Sequence, residues 1–449
     1  MSTDNADNAT GDMTNPNSST DSPAGAAPAA ASLEVPGPGL VEAVSLYARI
    51  GLMSFGGPAG QIALMQTEIV ERRRWVDGNA FDRGLSFSMM LPGPEAQQLA
   101  TWLGWRLHGI AGGLAAGLLF ILPGAVLMLG LAWLAAAGGD LPLIAAIFAG
   151  VQPVVIAVVL QAMKKLAGRA LGGPIAYGLA VAAFAGLAIA GLPFPLIVAL
   201  AAVAGLVLPL TGEGKADSEG AANPDASVLG RGLTVTGVTI ALVAMVFIAA
   251  RALSGTDPMD DIATLFTTAA FVSFGGAYAL LPYVADQAVD SYGWLSAAEM
   301  LNGLAIAEAT PGPLILVTTY AGFFAGWSAE GGGAALGIAT GSLATFYTFA
   351  PSFMLILAFA PVVERLHGLA PVRKALAGIS AAVVGVIANL AVYLGAAAFF
   401  PTGIASAEWA KLVLFAIAMW AVFARGIGVL TLVGAGALAG VVLHLIGLL

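Results

Sequence analysis

A chain of 449 residues that is 59% hydrophobic and only 10% charged, with a mean hydropathy of +0.91, has too little polar surface for an ordinary soluble domain. Apolar runs of about 20 residues, the length that spans a bilayer core of about 30 Å, recur along it and indicate an all-α polytopic membrane protein. The formal charge of −9 lies mostly outside those runs: residues 1–39 carry −5, residues 211–231 carry −2, and the membrane body carries −2, so the acidity does not argue against an anionic ligand.

Residues 1–39 are rich in Ser, Asn, Asp, Ala and Pro and read as a disordered tail. They lack the basic start and apolar core of a signal peptide, and a cytoplasmic location is the simplest assignment. Residues 40–210 form a first membrane repeat, with apolar segments near 40–65, 81–107, 110–135, 141–163, 173–191 and 194–210. The first segment is interrupted at Phe55-Gly56-Gly57-Pro58 and runs into a polar stretch holding Arg72, Arg73 and Arg74. That cluster is either a solvated loop or a vestibule that recruits anions.

The second segment is interrupted at Pro92-Gly93-Pro94. Proline disfavours helix in the residue before it and suits the first position of a new helix, so one helix stops near Met90 and another opens after Pro94. The two arms, about 11 and 14 residues or roughly 16 and 21 Å at the helical rise, either cross the membrane together or fold back as a re-entrant hairpin. Residues 211–232 are a polar linker, 233–253 an unmatched transmembrane helix, and 254–449 a second membrane repeat. Its segments fall near 261–285, 297–326, 333–361, 373–399, 408–424 and 427–448.

One offset of 219 residues carries the repeat: Ser54-Phe55-Gly56-Gly57 falls on Ser273-Phe274-Gly275-Gly276, Trp75 on Trp294, Gly84 on Gly303, and Pro92-Gly93-Pro94 on Pro311-Gly312-Pro313. After a nine-residue insertion around Gly331 to Gly333, Pro123 aligns with Pro351 and Ala149-Gly150 with Ala377-Gly378. The fold expected is therefore two homologous halves with broken helices and about 12–13 membrane segments. The unmatched helix makes the second half enter from the other face, giving inverted repeats. Counting every segment as a span places Lys164, Lys165, Arg169, Arg365, Arg373, Lys374 and Arg425 in the cytoplasm but Arg72 to Arg74 outside.

A helix break at membrane depth is tolerated where it lines a cavity, and the amides of Glu95, Ala96 and Gln97 begin a helix without intrahelical acceptors. With the positive end of the helix dipole they form a candidate anion site. Pro92, Gly93, Pro94, Glu95, Ala96, Gln97, Gln98, Gly56, Gly57 and Arg49 are its candidate residues in the first half, and Gly275, Gly276, Pro311, Gly312 and Pro313 in the second. An ionisable residue within a membrane segment is functional by default. Glu95 competes with a bound anion for the same amides, so it is read as neutral when the anion is present and ionised when it leaves, coupling substrate to protons. Glu308, three residues before the second Pro-Gly-Pro, is a second proton site.

The chain has no cysteine, and His108, His367 and His444 make no spaced metal set. With no nucleophile–base pair visible either, the chain does not read as an enzyme, and no metal, cofactor or nucleic acid is expected. The partners expected are a small oxyanion, protons, the lipid bilayer and a second copy in a homodimer.

SFGGPAGQIALM (Ser54 to Met65), VERRRW (Val70 to Trp75), LPGPEAQQLATWLGW (Leu91 to Trp105) and GGLAAGLLFILPG (Gly112 to Gly124) resemble the first half of the chromate ion transporter family. FVSFGGAYALLPYV (Phe271 to Val284) and PGPL (Pro311 to Leu314) resemble its second half. Where family members often carry basic residues after the ALM motif, this chain has Gln66 and Thr67. The resemblance implies a bacterial inner-membrane protein of the long, two-domain type that exports chromate with the proton-motive force, sulfate being the chemical mimic. Import or exchange of sulfate, molybdate or another small oxyanion is the alternative.

Overall fold

The computed structural model describes residues 38–139, 141–210, 226–254, 258–274, 276–360 and 370–448. Most of the expected tail (1–37), most of the linker (211–225), Gly275, Arg365 and His367 lie outside the described residues. Among the described residues the secondary structure is helical, apart from a bridge between Pro401 and Gly403.

The first half opens with α1 (Leu40–Met53) and α2 (Gly57–Met65), the latter continuing as a π-helical stretch over Gln66–Arg72. Next come α3 (Gly78–Met90), capped by the Asp77 carboxylate accepting from the Ala80 amide at 2.9 Å, and α4 (Glu95–Gly138). The helix α4 is not straight: His108 is non-helical and Gly109 has φ 62°, so Glu95–Leu107 and the following arm are joined by a sharp turn. A Cβ on Gly104 would lie 2.3 Å from the Gly112 carbonyl oxygen, so the arms run back along each other. The residues before and after Pro92-Gly93-Pro94 fold back too, since a Cβ on Gly84 would lie 2.3 Å from the Trp102 ring. The turn at the first Pro-Gly-Pro is thus the tip of a re-entrant hairpin.

His108 Nε2 is 2.8 Å from the Pro38 carbonyl oxygen, so the beginning of α1, the beginning of α3 and the His108 turn share one end of the bundle. Arg72 to Arg74, a few residues before α3, belong to that end. This corrects the expectation that separated them from Lys165 and Arg169: because the half-helices return instead of crossing, the arginines stay on the side where the chain began. The second arm of α4 crosses, and α5 (Pro142–Ala170), α6 (Pro174–Ala188) and α7 (Phe194–Val207) follow. Prolines in their first turns suit positions whose N–H would have no partner.

After α8 (Ala226–Ser254) the pattern recurs: α9 (Pro258–Val272), α10 (Ala277–Ala285) with a π-helical stretch over Asp286–Ser291, α11 (Ala297–Ala309) and α12 (Val317–Trp327). The segment expected as 261–285 is accordingly not one helix: α9 ends at Val272 and α10 begins at Ala277, as α1 and α2 are separate in the first half. A Cβ on Gly303 would lie 2.5 Å from the Tyr320 ring, the same fold-back that Gly84 and Trp102 make. Local geometry repeats as well: Arg74 has φ 55° where Gly293 has φ 62°, and Gly93 has φ 126° where Gly312 has φ 99°. The insertion forms the turn between α12 and α13 (Ala334–Phe359), and α14 (Ala370–Phe399), α15 (Trp409–Arg425) and α16 (Val429–Leu445) complete the chain.

Among the described residues, five helices are long and apolar enough to cross a bilayer on their own, including α8, whose apolar stretch buries nothing within the protein. Large side chains such as Val41, Val181, Ile189 and Leu438 are exposed, as a lipid-facing surface requires. Close crossings interlock the halves through small residues. A Cβ on Gly150 in α5 would lie 2.2 Å from the Gly436 oxygen in α16, and one on Gly378 in α14 would lie 2.1 Å from the Ala201 oxygen in α7.

Candidate functional site

A cavity of about 420 Å³ lies where the broken helices meet. Gly56 and Gly57 at the start of α2, Glu95 at the start of α4, Gly276 to Tyr278 at the start of α10 and Glu308 near the end of α11 line it. So do Val158, Gln161, Lys165 and Arg169 from the second half of α5. Three helix N-termini therefore converge on one space, each with first-turn amides that have no intrahelical acceptor. Their dipoles place partial positive charge there.

The glycines are needed for different reasons. Gly56 and Gly57 have φ 88° and 72°, and a Cβ on either would meet nothing within 4 Å, so backbone conformation alone demands glycine. Gly276, at φ 96°, has the Glu95 carboxylate as its neighbour, 3.5 Å from an ideal Cβ. Glu95 thus reaches from the first half to the break of the second. Glu308 is 7% exposed, and its Oε1 accepts a 2.5 Å hydrogen bond from the Tyr278 hydroxyl. Arg169 and Lys165 line the same cavity as these two carboxylates.

The Pro-Gly-Pro turns themselves do not line this cavity; they are wedged between the halves. The Gly93 amide donates to the Ser273 carbonyl at 2.8 Å and the Gly312 amide to the Ser54 carbonyl at 2.9 Å. Gly93 and Gly312, candidate ligand residues by sequence, thus give their amides to the backbone of the opposite half. Ser352 in α13 donates to Gln97 Oε1 at 2.7 Å, and Gln97 Nε2 donates to Thr101 at 2.9 Å. Gln98 Nε2 donates back to the Pro92 carbonyl at 2.7 Å. Ala96, Gln97 and Gln98 are buried, and so are Pro94, Pro311 and Pro313. These residues lock the hairpin tips, while Glu95 reaches the cavity.

Arg49 is exposed on α1 and does not line the cavity. Arg72 and Arg73 both donate to Glu68, Arg72 at 2.5 Å, and the Arg73 guanidinium lies 5.5 Å from the Trp75 ring centroid. The Arg73 hydrogen bond foremost, with Arg72 adding to it, holds the Glu68 carboxyl below its ordinary range. Arg74 is exposed.

Sequence reasoning missed Lys165, Arg169, Tyr278 and Gln61. Lys165 and Arg169 are spaced i, i+4 and so share a helix face, a signal that the sequence carries. Gln61 donates to the Gly312 carbonyl at 2.6 Å and the Ser54 carbonyl at 3.2 Å, tying the first glycine break to the second Pro-Gly-Pro. Among the described residues no cluster of His, Asp and Glu could hold a metal ion.

The family model described as "Chromate transporter" matches residues 41–206 and 261–441. A chromate transport protein of Pseudomonas aeruginosa is 30% identical over 355 residues, 76% of this chain and 77% of that protein. A probable chromate transport protein of Synechococcus elongatus is 27% identical, covering 79% of this chain and 84% of its own. A chromate transport protein of Cupriavidus metallidurans is 24% identical, covering 79% and 82%. No solved structure matches the chain significantly. The two matched stretches take in both sets of broken helices and every element that lines the cavity, and the chain belongs to the chromate transporter family of multi-pass membrane transport proteins.

Proposed function

We propose that the chain exports chromate, or a tetrahedral oxyanion of the same size and charge, from the cytoplasm. The observation that carries this reading is the joining of three helix N-termini, Lys165 and Arg169 with two carboxylates, Glu95 and Glu308, around one cavity. Helix N-termini and cations suit a small dianion. Glu95 competes with that anion for the same positive groups, so it neutralises when the anion arrives and ionises when it departs.

That competition sets how the proton-motive force acts. A dianion leaving a negative cytosol gains roughly 4 to 5 kcal/mol per 100 mV, from about 2.3 per charge. A proton that leaves with it on Glu95 halves the voltage gain but keeps its sign, so the electrical part of the force drives export. The halves are inverted repeats in this reading, supported by the single unmatched helix α8 between them. Lys165, Arg169 and Arg425 at helix ends on the side where α1 begins support a cytoplasmic N-terminus in a bacterial inner membrane. The apolar face of α8 leaves room for a homodimer.

Everted vesicles holding the protein are expected to accumulate labelled chromate saturably, with sulfate competing and an interior-positive potential stimulating uptake. Absence of saturable uptake of both ions overturns the proposal. Stimulation by an interior-acid pH gradient at zero voltage, with none by voltage, replaces the co-movement of proton and anion with an exchange. Import or exchange of sulfate or molybdate is the second reading, favoured by Gln66 at the cavity wall where the family often has basic residues.

A further inference from the structure

A second cavity, of about 460 Å³, lies at the other end of α5. Ala145, Phe148, Ala149 and Gln152 of that helix line it, whereas the first cavity is lined from Val158 to Arg169. From Phe148 to Lys165 is about 25 Å at 1.5 Å per residue, most of a bilayer core. The helix α11 is shared in the same way, Asn302 facing the second cavity and Glu308 the first. Two helices thus run from one cavity to the other.

At the end of the second cavity nearer the first, Gln152 Nε2 donates to Asn302 Oδ1 at 2.9 Å, and the buried apolar turn Val154 to Ala157 follows before the first cavity begins at Val158. Gln152 is held in turn by Lys411 of α15, whose ammonium donates to Gln152 Oε1 at 3.2 Å, to the Ala398 carbonyl at 3.5 Å and to Glu408 at 3.1 Å. The Lys411 side chain is only 12% exposed. Tyr320, fully buried with its hydroxyl unpartnered, lines the same cavity. Glu299 lines it too, but its Oε2 accepts from the Ser296 amide and hydroxyl at 2.7 and 2.8 Å.

We propose that this second cavity is the opposite-face vestibule of the anion path, with Lys411 the cation an oxyanion meets there and the Gln152–Asn302 hydrogen bond the partition between the two. The proposal rests on the oxyanion-transport reading above. An oxyanion accepting from Lys411 and Tyr320 takes the donor that Gln152 holds, releasing Gln152 from Lys411 and loosening its grip on Asn302. Ligand arrival and opening of the partition are then one event.

The absence of native cysteine permits a direct test. Single variants Ala145→Cys and Ala162→Cys, in the intact chain, are labelled with a membrane-impermeant thiol reagent in right-side-out and in everted vesicles. Sulfate is the protecting ion, since chromate oxidises thiols. Ala145→Cys is expected to react from the periplasmic side and Ala162→Cys from the cytoplasmic side. Sulfate is expected to slow labelling of Ala145→Cys, with the concentration needed raised about tenfold when Lys411→Gln is added, as loss of one charge-assisted bond implies, and restored by Lys411→Arg. Labelling of both positions from one side, or protection unchanged in Lys411→Gln, overturns the proposal. Because protection is read without transport, a failure of flux in the unsubstituted protein bears on the export reading and not on this one.

Discussion

The amide of Gly93 donates to the carbonyl of Ser273 at 2.8 Å, joining the Pro-Gly-Pro tip of the first half to the glycine break of the second. Gly312 and Ser54 make the reciprocal bond at 2.9 Å, with each partner displaced by 219 residues. The halves are therefore clasped at the bottom of their hairpins, and the clasp brings Glu95 within reach of Gly276. Gly93→Ala places a Cβ 2.6 Å from Gln98 Nε2 and 2.9 Å from Ser352 Oγ at φ 126°, whereas Gly312→Ala meets Leu316 Cδ1 at 3.0 Å and φ 99°. Left-handed strain costs about 1–3 kcal/mol in either variant. Gly93→Ala is expected to lower the thermal midpoint of the purified protein in detergent further, because it also breaks into the Gln97–Ser352 contact.

The two clasps are lined differently, and the difference predicts a coupling. Gln97 accepts from Ser352 in one, while Leu316 packs on Gly124 at the positions 219 and 228 residues away in the other. Ser352→Gly leaves Gln97 Oε1 buried without that donor, a loss of about 1–3 kcal/mol. The double variant Gln97→Leu with Ser352→Gly copies the second clasp and is expected to recover part of that stability. A double-mutant cycle on detergent unfolding measures it, and strict additivity counts against the coupling.

Gly84 and Gly303 let the re-entrant arms close on Trp102 and Tyr320. Gly84→Ala brings its Cβ to 2.3 Å from the indole and forces the arms apart. Overpacking of this kind costs typically about 1–3 kcal/mol. Reduced yield of folded protein is expected, with partial rescue when Trp102→Leu is added, read by size-exclusion recovery.

Glu68 makes a pH prediction outside the membrane-spanning segments. Its folded carboxyl lies below its ordinary value of 4.5, chiefly through the Arg73 hydrogen bond. A depressed carboxyl binds fewer protons folded than unfolded, so its contribution to stability is complete above the ordinary value and fades as pH falls through the folded one. Glu68→Gln is expected to flatten the acid limb of the stability–pH curve and leave neutral-pH stability less affected than removal of a buried pair would, because Arg72 is 64% exposed. Thermal midpoints between pH 3 and pH 7 check this.

For Glu95, substitution to Gln is expected to remove the pH dependence of chromate flux while the protein still folds, since its carboxylate faces the cavity and not the clasp. An unchanged rate and pH profile would count against its coupling role.

Residue types and spacing determined the class of fold, the positions of the breaks and the placing of Glu95 and Glu308 beside them. Apolar length, proline's missing N–H and the demand of left-handed backbone for glycine are local properties, readable without any partner. The i, i+4 pair Lys165 and Arg169 was equally readable, yet nothing local says that a helix five elements from the first break ends beside it. Tertiary structure alone decided that the arms turn back at Gly93 and Gly312, because fold-back depends on Trp102 finding Gly84 and on each amide finding a carbonyl in the other half. The same long-range closure moved Arg72 to Arg74 to the side where the chain begins, committed Arg72 and Arg73 to Glu68, and gave the cavity to the glycine breaks and carboxylates while the Pro-Gly-Pro turns became the clasp.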